Sequence, residues 1–320
     1  MASGFSETGA QLFARLGNKP SLIKTLDTNL FPEPLQPGNV IELYGTTCCA
    51  KTEILYHLIC QCILPASWQG IELNGHSVGV VFVDTEYQFS MLRLFAILEK
   101  RILQNLDKFK MDNVDTDAEI PSGEEVENFI KTSLSKFHLV RCSSSEQLII
   151  SLHSLESLFA NHPEICVLML DSLSAFYWID RTNAGDSGTA QETMQRKMVD
   201  VLQRLIQEYN LVLFATKPAI VQRTKKFQQD LHGTVAEASP LNSSISEQSR
   251  EQIEHYEYLC NSWHKLVSHR YIIRRHDDVL ANESGEKSMR ALFKVTLIHP
   301  SNVKHQCTFL VTEAGVMYNL

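Results

Sequence analysis

The amino-acid sequence predicts an α/β fold in which a mostly parallel central sheet is covered by helices on both faces. Several short, almost wholly apolar stretches have the length of buried strands, and amphipathic helical stretches separate them. Strands of a parallel sheet are buried on both faces, so they are apolar throughout rather than alternating. After about residue 270 the helical stretches stop, and the remaining apolar stretches predict antiparallel strands that extend the sheet.

The first half of the fold is predicted from apolar spacing. A strand is expected at Val40–Tyr44, and a helix is expected to begin near Lys51 and to stop before Pro65. A second buried strand is expected at Val78–Val83, followed by a helix over about 89–106. The first helix is indicated by six apolar residues at helical spacing, which are Ile54, Leu55, Leu58, Ile59, Cys62 and Ile63.

The middle of the chain departs from this alternation once and then resumes it. Residues 107–127 are rich in acidic side chains and lack a regular apolar pattern, which predicts an exposed insertion. A strand is expected at Phe137–Arg141, followed by a helix capped by one of Ser143–Ser145. The apolar stretch Ile165–Leu170 predicts the next strand, and the amphipathic series over 194–209 predicts a helix.

The last part of the chain is predicted to be a strand, a loop and a group of tail strands. A buried strand is expected at Leu211–Ala215, and the polar, aperiodic residues 217–257 predict a long mobile loop. Residues 1–39 are expected to be an N-terminal segment or linker, and 40–320 to be one core. The expected antiparallel strands of the tail are Tyr271–Arg274, Leu292–Ile298 and Cys307–Thr312.

Composition excludes some classes of function. The 320 residues carry 29 Lys+Arg against 37 Asp+Glu, a net charge of −8, which argues against a domain that binds nucleic acid unaided. A hydrophobic fraction of 44% excludes wholesale disorder. The eight cysteines contain no C-x₂-C pair, so we expect no zinc site and a reduced compartment. No secretion signal and no apolar run of about 20 residues is present, so we expect a soluble protein without membrane contact.

The strongest motif follows the first predicted strand. It nearly matches the phosphate-loop pattern G-x-x-x-x-G-K-[ST], in which backbone amides wrap phosphates, lysine reaches the outer phosphates and a hydroxyl binds magnesium. An ordinary strand-to-helix turn is the alternative. Ala50 replaces the second glycine and restricts the backbone, so we expect weakened binding of ATP. The candidate nucleotide-binding residues are Gly45, Thr46, Thr47, Cys48, Cys49, Ala50, Lys51 and Thr52.

Two acidic residues follow predicted strands and are candidates for the chemistry of the site. Asp171 ends the apolar strand at 165–170, where its carboxylate would share a magnesium ion with Thr52. Its alternative role is to cap the next segment. Glu86 lies just beyond another strand and is a candidate general base, with a solvated loop carboxylate as the alternative.

Beyond the motif, the sequence resembles the paralogues of the RecA/Rad-type strand-exchange recombinases. The resemblance extends from about Leu12 to Ala219. It implies a RecA-like P-loop NTPase core, a role in homologous-recombination repair of DNA and a nuclear location. The strings that carry it are Lys51-Thr52-Glu53-Ile54-Leu55-Tyr56-His57-Leu58, Met91-Leu92-Arg93-Leu94 and Leu170-Asp171-Ser172-Leu173-Ser174-Ala175-Phe176-Tyr177-Trp178-Ile179-Asp180-Arg181.

The resemblance also implies partners and points to departures from the family pattern. It implies assembly with other recombinase paralogues, the D-type paralogue as direct neighbour, in a complex that assists recombinase filaments on single-stranded or branched DNA. Thr216-Lys217-Pro218 stands where the family has a sensor glutamine, so we expect coupled hydrolysis to be impaired. The stretch before Leu43 is too short for the helical DNA-binding domain of many members.

DNA contact is predicted in the loop after the last core strand. Arg223, Lys225 and Lys226 occupy the place where recombinases touch single-stranded DNA, and their charges would neutralise phosphates. A solvated surface loop is the alternative. The aromatic residues Phe176–Trp178 are predicted to pack in the core, with a stacking platform or a partner contact as alternatives.

The sequence therefore favours a recombinase paralogue that acts through protein partners and binds ATP with magnesium weakly or vestigially. An active P-loop ATPase or a small-molecule kinase, with Glu86 as base, is the main alternative. Whether the chain is an enzyme at all is left open by the residues. A direct DNA-binding module is the third hypothesis, and the acidic net charge argues against it.

Overall fold

A computed structural model describes Gly9 and residues 25–112, 121–185, 189–220, 257–281 and 287–318. The helices are α1 Lys51–Ile63, α2 Met91–Asp112, α3 Gly123–Leu134, α4 Ser145–Asn161, α5 Tyr177–Asn183, α6 Thr189–Tyr209 and α7 Asn261–Leu266. The strands are β1 Val40–Gly45, β2 Ser67–Trp68, β3 Ile71–Glu72, β4 Gly79–Asp84, β5 Phe137–Arg141, β6 Ile165–Asp171, β7 Val212–Pro218, β8 His269–Ala281, β9 Lys287–His299, β10 Gln306–Thr312 and β11 Gly315–Met317.

One large sheet forms the centre of the molecule, with the strand order β11-β10-β9-β8-β1-β7-β6-β4-β5. Six adjacent strands run parallel, in the order β5, β4, β6, β7, β1 and β8. Strands β9, β10 and β11 continue the sheet with antiparallel pairing. Short β2 and β3 form a separate antiparallel pair. The predicted fold class, with a mostly parallel sheet and antiparallel C-terminal strands, is therefore confirmed.

The prediction for the first tail strand was only half right. The stretch Tyr271–Arg274 lies in β8, which pairs parallel with β1 on one side and antiparallel with β9 on the other. The chain leaves β7 and returns through α7 before it enters β8 in the same direction as β1. A crossover of this kind produces parallel neighbours, whereas a tight hairpin produces antiparallel ones.

Helices cover the sheet on both faces, and each face has its own apolar cluster. On one face α1, α2 and α3 bury residues such as Leu58 and Ile97 against the sheet. On the other face α4, α6 and α7 bury residues such as Leu152, Leu202 and Trp263. The strands between the two layers are almost wholly buried, which explains why they are apolar throughout.

Helices occupy both ends of residues 107–127, which were predicted to be an exposed insertion, and Val126 is buried. Helix α2 continues to Asp112, and α3 occupies residues that carried no expected helix. A capping box starts α3, because the Ser122 hydroxyl accepts from the Glu125 amide while the Glu125 carboxylate accepts from the Ser122 amide. Asp107 and Glu127 are exposed as predicted, and residues 113–120 lie outside the described part of the chain.

Two expected boundaries also differ from the structure. Strand β7 continues through Pro218, so Lys217 belongs to the strand and not to the predicted loop, most of which lies outside the described residues. Residues 25–39 contribute buried side chains to the core, including Leu30 and Phe31. The division into a segment at 1–39 and a core at 40–320 stays a prediction.

None of the helices in the described part of the chain is both long and apolar enough to cross a bilayer. All eight cysteines are free thiols, and most of them are buried.

Candidate nucleotide site

The phosphate-loop string forms a tight turn between β1 and α1. Ala50 is the residue before α1 and has φ 66° and ψ 24°, in the left-handed region. Cys48 also has a positive φ, of 60°. A residue with a Cβ atom is strained in this region, while glycine is not. The loop therefore keeps the backbone path that the missing glycine would favour, although alanine occupies the position.

Gly45 is required by a close approach of the neighbouring strand. A Cβ atom on Gly45 would lie 2.5 Å from Cys49 Sγ and 2.6 Å from the Ile273 carbonyl oxygen. Both distances are far below van der Waals contact, and one of the atoms is backbone that cannot turn aside. The first glycine of the motif is thus fixed by packing between β1, the loop and β8.

Lys51 braces the loop from inside. Its Nζ donates to the carbonyl oxygens of Gly45 at 3.1 Å and Thr46 at 2.8 Å, and it lies 3.6 Å from Cys49 Sγ. Burial raises the pKa of the Cys49 thiol even though the Lys51 charge acts in the opposite direction. The buried thiol is therefore protonated at neutral pH, and Cys48 is the exposed member of the pair.

Asp171 lies between hydroxyl groups from two elements. The Thr52 hydroxyl donates to Asp171 Oδ2 at 2.7 Å, and the Thr216 hydroxyl donates to Oδ1. Burial raises the pKa of Asp171, and nearby Glu86 adds to the rise, while the two hydroxyl groups and Lys51 oppose it. A carboxylate and a hydroxyl at this separation are the oxygen donors that magnesium prefers, so the residues fit the ion.

Glu86 is held at the same edge of the sheet by the residue after Asp171. The Ser172 hydroxyl donates to Glu86 Oε1 at 2.6 Å. The Thr85 hydroxyl bridges the backbone of Ser172, accepting from its amide at 2.7 Å and donating to its carbonyl at 2.8 Å. The ends of β4 and β6 are thus tied together, and the exposed Glu86 carboxylate is fixed beside Asp171.

The end of β7 presents no amide side chain to the site. Thr216 and Lys217 are consecutive strand residues, and such neighbours point to opposite faces of a sheet. Thr216 faces Asp171, whereas Lys217 is fully buried on the other face and pairs with Glu257 at 2.7 Å. The expectation that coupled hydrolysis is impaired stays a prediction.

Comparison with known proteins gives the family. The family model named Rad51 matches residues 23–236, about two thirds of the chain. The chain belongs to the Rad51 family. It is 37% identical to the mouse protein named DNA repair protein XRCC2 over 99% of this chain and 100% of that protein. It is 29% identical to the Arabidopsis thaliana DNA repair protein XRCC2 homolog, over 89% of this chain and 81% of that protein.

More distant Rad51-family relatives match a smaller part of the chain. The DNA repair and recombination protein RadA of Methanoculleus marisnigri is 26% identical over 57% of this chain and 49% of its own length. The match of the family model ends at residue 236, before the strands β8 to β11. The match to the mouse protein, which covers 99% of this chain, extends over these C-terminal strands.

The structure places the predicted site residues Lys51, Thr52 and Asp171 close together, and Glu86 lies beside them. Their roles in binding and catalysis stay predictions. The predicted DNA contacts Arg223, Lys225 and Lys226 lie outside the described residues. Among the aromatic residues, Tyr177 is buried as expected for core packing, but Trp178 is 57% exposed.

Sequence reasoning missed two residues of the site and one ion-pair partner on the opposite face of the sheet. Thr216 and Ser172 contact the predicted residues Asp171 and Glu86, and Glu257 contacts Lys217. Ser172 follows Asp171 directly, and its position at a strand end was the one signal available. The contact of Glu257 with Lys217 joins residues 40 positions apart and carries no local pattern.

Proposed function

We propose that this protein is a homologous-recombination DNA repair factor, a recombinase paralogue that works within a complex of several paralogues. The observation that carries the proposal is the 37% identity to the mouse DNA repair protein XRCC2 over nearly the whole of both chains. Likeness confined to the phosphate loop would support nucleotide binding alone. Likeness over the whole length also covers the C-terminal strands, so it supports a shared role and not only a shared core.

Nucleotide binding is proposed to be weak or vestigial, with ATP and magnesium as the ligands. The loop amides and Lys51 would hold the phosphates, while Thr52 and Asp171 would hold the ion. The ion would neutralise phosphate charge in the bound state. Ala50 weakens the site because its left-handed backbone carries a cost of about 1–2 kcal/mol that glycine avoids.

We propose that partner subunits supply the positive charge that this acidic chain needs for contact with DNA. A net charge of −8 opposes independent binding to a phosphate backbone. Basic surfaces of partner paralogues, including the D-type paralogue, would compensate, and Arg223, Lys225 and Lys226 would add local contacts to single-stranded or branched DNA. The complex would assist assembly of the recombinase filament in the nucleus.

An active ATPase remains the second candidate function, because one contact favours it. Ser172 holds Glu86 at 2.6 Å, beside the candidate magnesium residue Asp171. A fixed carboxylate at this place has the position of a general base that orients an attacking water. The end of β7 argues in the other direction, because Lys217 faces away from the site. A small-molecule kinase has no comparable feature in its favour.

The proposal is tested by partner capture and complementation in cells that lack the protein. Wild type, Lys51→Ala and Leu168→Asp are expressed, and co-purifying proteins are identified by mass spectrometry. We expect wild type and Lys51→Ala to capture recombinase paralogues and to restore damage-induced recombinase foci. Leu168→Asp places a charge in the fully buried β6 and should fail as the unfolded control.

Capture of no recombinase paralogue by the wild-type protein would contradict the assembly role. Loss of repair by Lys51→Ala with intact partner capture would favour the active ATPase over the weak binder.

A further inference from the structure

Four charged side chains lie together on the face of the sheet opposite the nucleotide site. We call Glu42, Lys217, Glu257 and Arg270 the charge quartet, and residues Glu257–Ser268 the re-entry segment. Glu42 and Lys217 are 0% exposed and Arg270 is 3% exposed. The Glu257 side chain is 23% exposed, so it is the member of the quartet that meets solvent.

The two cations of the quartet differ in how many carboxylates they contact. Arg270 pairs with Glu42 at 2.6 Å and with Glu257 at 2.9 Å. Within the described part of the chain, Glu257 at 2.7 Å is the single carboxylate within ion-pair distance of Lys217. The ring of Tyr258 lies 4.6 Å from the Lys217 ammonium and adds a cation–π contact. Lys217 therefore depends on Glu257 for its compensating charge, whereas Arg270 does not.

The re-entry segment is also packed and hydrogen-bonded where it crosses the sheet. It buries Leu259 and Trp263 in the apolar cluster, and Trp263 Nε1 donates to Glu42 Oε2 at 2.6 Å. The Tyr258 hydroxyl donates to the Pro218 carbonyl at 3.1 Å, at the end of β7. The segment thus closes over the same strand end that carries Lys217.

A buried ion pair has an asymmetric energetic effect. Replacing both partners with uncharged groups is often nearly neutral, but removing one partner leaves an uncompensated buried charge and is strongly destabilising. Loss of the Glu257 charge would leave Lys217 in this condition. Lys217 would regain hydration only if the re-entry segment moved away from it.

We propose that Lys217 and Glu257 form a latch that fixes the re-entry segment on the end of β7, and that the segment opens as a unit when the latch is broken. The latch contains none of the candidate nucleotide-binding residues and goes beyond the proposed repair function. It also fixes the strand that carries Thr216, whose hydroxyl contacts Asp171. The position of this contact is then set by an internal ion pair.

Hydrogen exchange of the purified full chain, followed by mass spectrometry, tests the latch. Glu257→Gln should accelerate amide exchange in residues 258–268 by about a hundredfold or more, while α1 and β6 keep their protection. Adding Lys217→Met to this variant removes the unpaired charge and should return exchange to within about tenfold of wild type. Glu192→Gln breaks an exposed pair with Arg196 on α6 and should change exchange by less than about tenfold, as the matched control.

Several results would overturn the proposal. Unchanged exchange in Glu257→Gln would show that the pair holds nothing in place. Equal acceleration across the whole chain would show a general stabilising pair and no local latch. If Glu257→Gln does not accumulate as folded protein, the pair stabilises the whole fold, and that result also contradicts a local latch.

Discussion

The phosphate loop and the end of β7 lie at the same edge of the sheet, yet they depart in different ways from the pattern that the sequence resemblance implies. The loop has alanine at the second glycine position of the motif but a left-handed backbone there, and Lys51, Thr52 and Asp171 lie close together. At the end of β7, Lys217 faces away from the site and forms an ion pair with Glu257.

We therefore expect nucleotide binding and its coupling to the rest of the molecule to rest on separable residues. Ala50 changes the stability of a conformation that the loop still adopts. Lys217 lies on the opposite face of the sheet from Thr216, so it has no geometric route to the site. Because consecutive strand residues face opposite sides of the sheet, no local rearrangement brings Lys217 to the site. The loop, in contrast, adopts its left-handed conformation with Ala50 in place.

The largest effect should come from the charge quartet, which joins Lys217 of β7 to Glu42 of β1 through Glu257 and Arg270. Glu42→Ala removes a fully buried carboxylate from Arg270 and Trp263, and we expect the free energy of unfolding to fall by about 3–5 kcal/mol. Denaturant unfolding of purified protein measures the change. Glu192→Ala, on an exposed helical pair, should stay within about 0.5 kcal/mol of wild type. Similar stability losses in the two variants would remove the contrast between the regions.

A smaller effect of opposite sign is expected on the loop side. The pKa of Asp171 is raised above its unfolded value of 3.8 by burial, so the folded state holds this proton more tightly than the unfolded state. The associated stability is present at low pH and is lost as the pH rises through the folded pKa. Asp171→Asn should therefore stabilise the ligand-free protein at pH 7 by up to about 1 kcal/mol.

The pH dependence checks this account of Asp171. The advantage of Asp171→Asn should shrink as the pH falls toward 3.8, because the wild-type carboxyl then becomes neutral as well. Thermal unfolding of both proteins across this range measures the difference. A stability difference that grows on acidification would contradict the assigned cause.

A further small effect should come from placing glycine at position 50. Ala50→Gly relieves about 1–2 kcal/mol of left-handed strain but adds about 0.4–1 kcal/mol of unfolded-state entropy, so a net gain of about 0–1.6 kcal/mol is expected. Affinity for ATP with magnesium should rise at the same time. Ala96→Gly, in the interior of α2, should instead cost about 1 kcal/mol and leave the affinity unchanged. Equal losses of stability at the two positions would show that Ala50 is unstrained.

Much of the fold was predictable because the signals were local. The helix after the phosphate loop has apolar residues at regular spacing, and Asp171 ends a stretch that is apolar throughout. Helix α3 was missed although Ser122 and Glu125 have the spacing of a capping box, since the surrounding acidic residues hid the apolar face. The capping-box spacing in the sequence was therefore sufficient to predict that helix.

The remaining features depend on which strands become neighbours. Thr216 meets Asp171 only because β6 and β7 are adjacent, and Glu257 meets Lys217 although the two residues are 40 positions apart in the sequence. The parallel pairing of β8 with β1 has the same origin. Propensity and periodicity contain no information about such long-range placement.

We propose that the site binds ATP weakly and that hydrolysis of ATP there is not coupled to DNA binding. Equilibrium titration with a fluorescent ATP analogue and magnesium, followed by turnover with and without single-stranded DNA, tests it on one preparation of wild type and Lys51→Ala. We predict weak binding that Lys51→Ala abolishes, and no stimulation of hydrolysis by DNA. Turnover at typical enzyme rates that DNA accelerates, or binding that survives Lys51→Ala, would contradict the account.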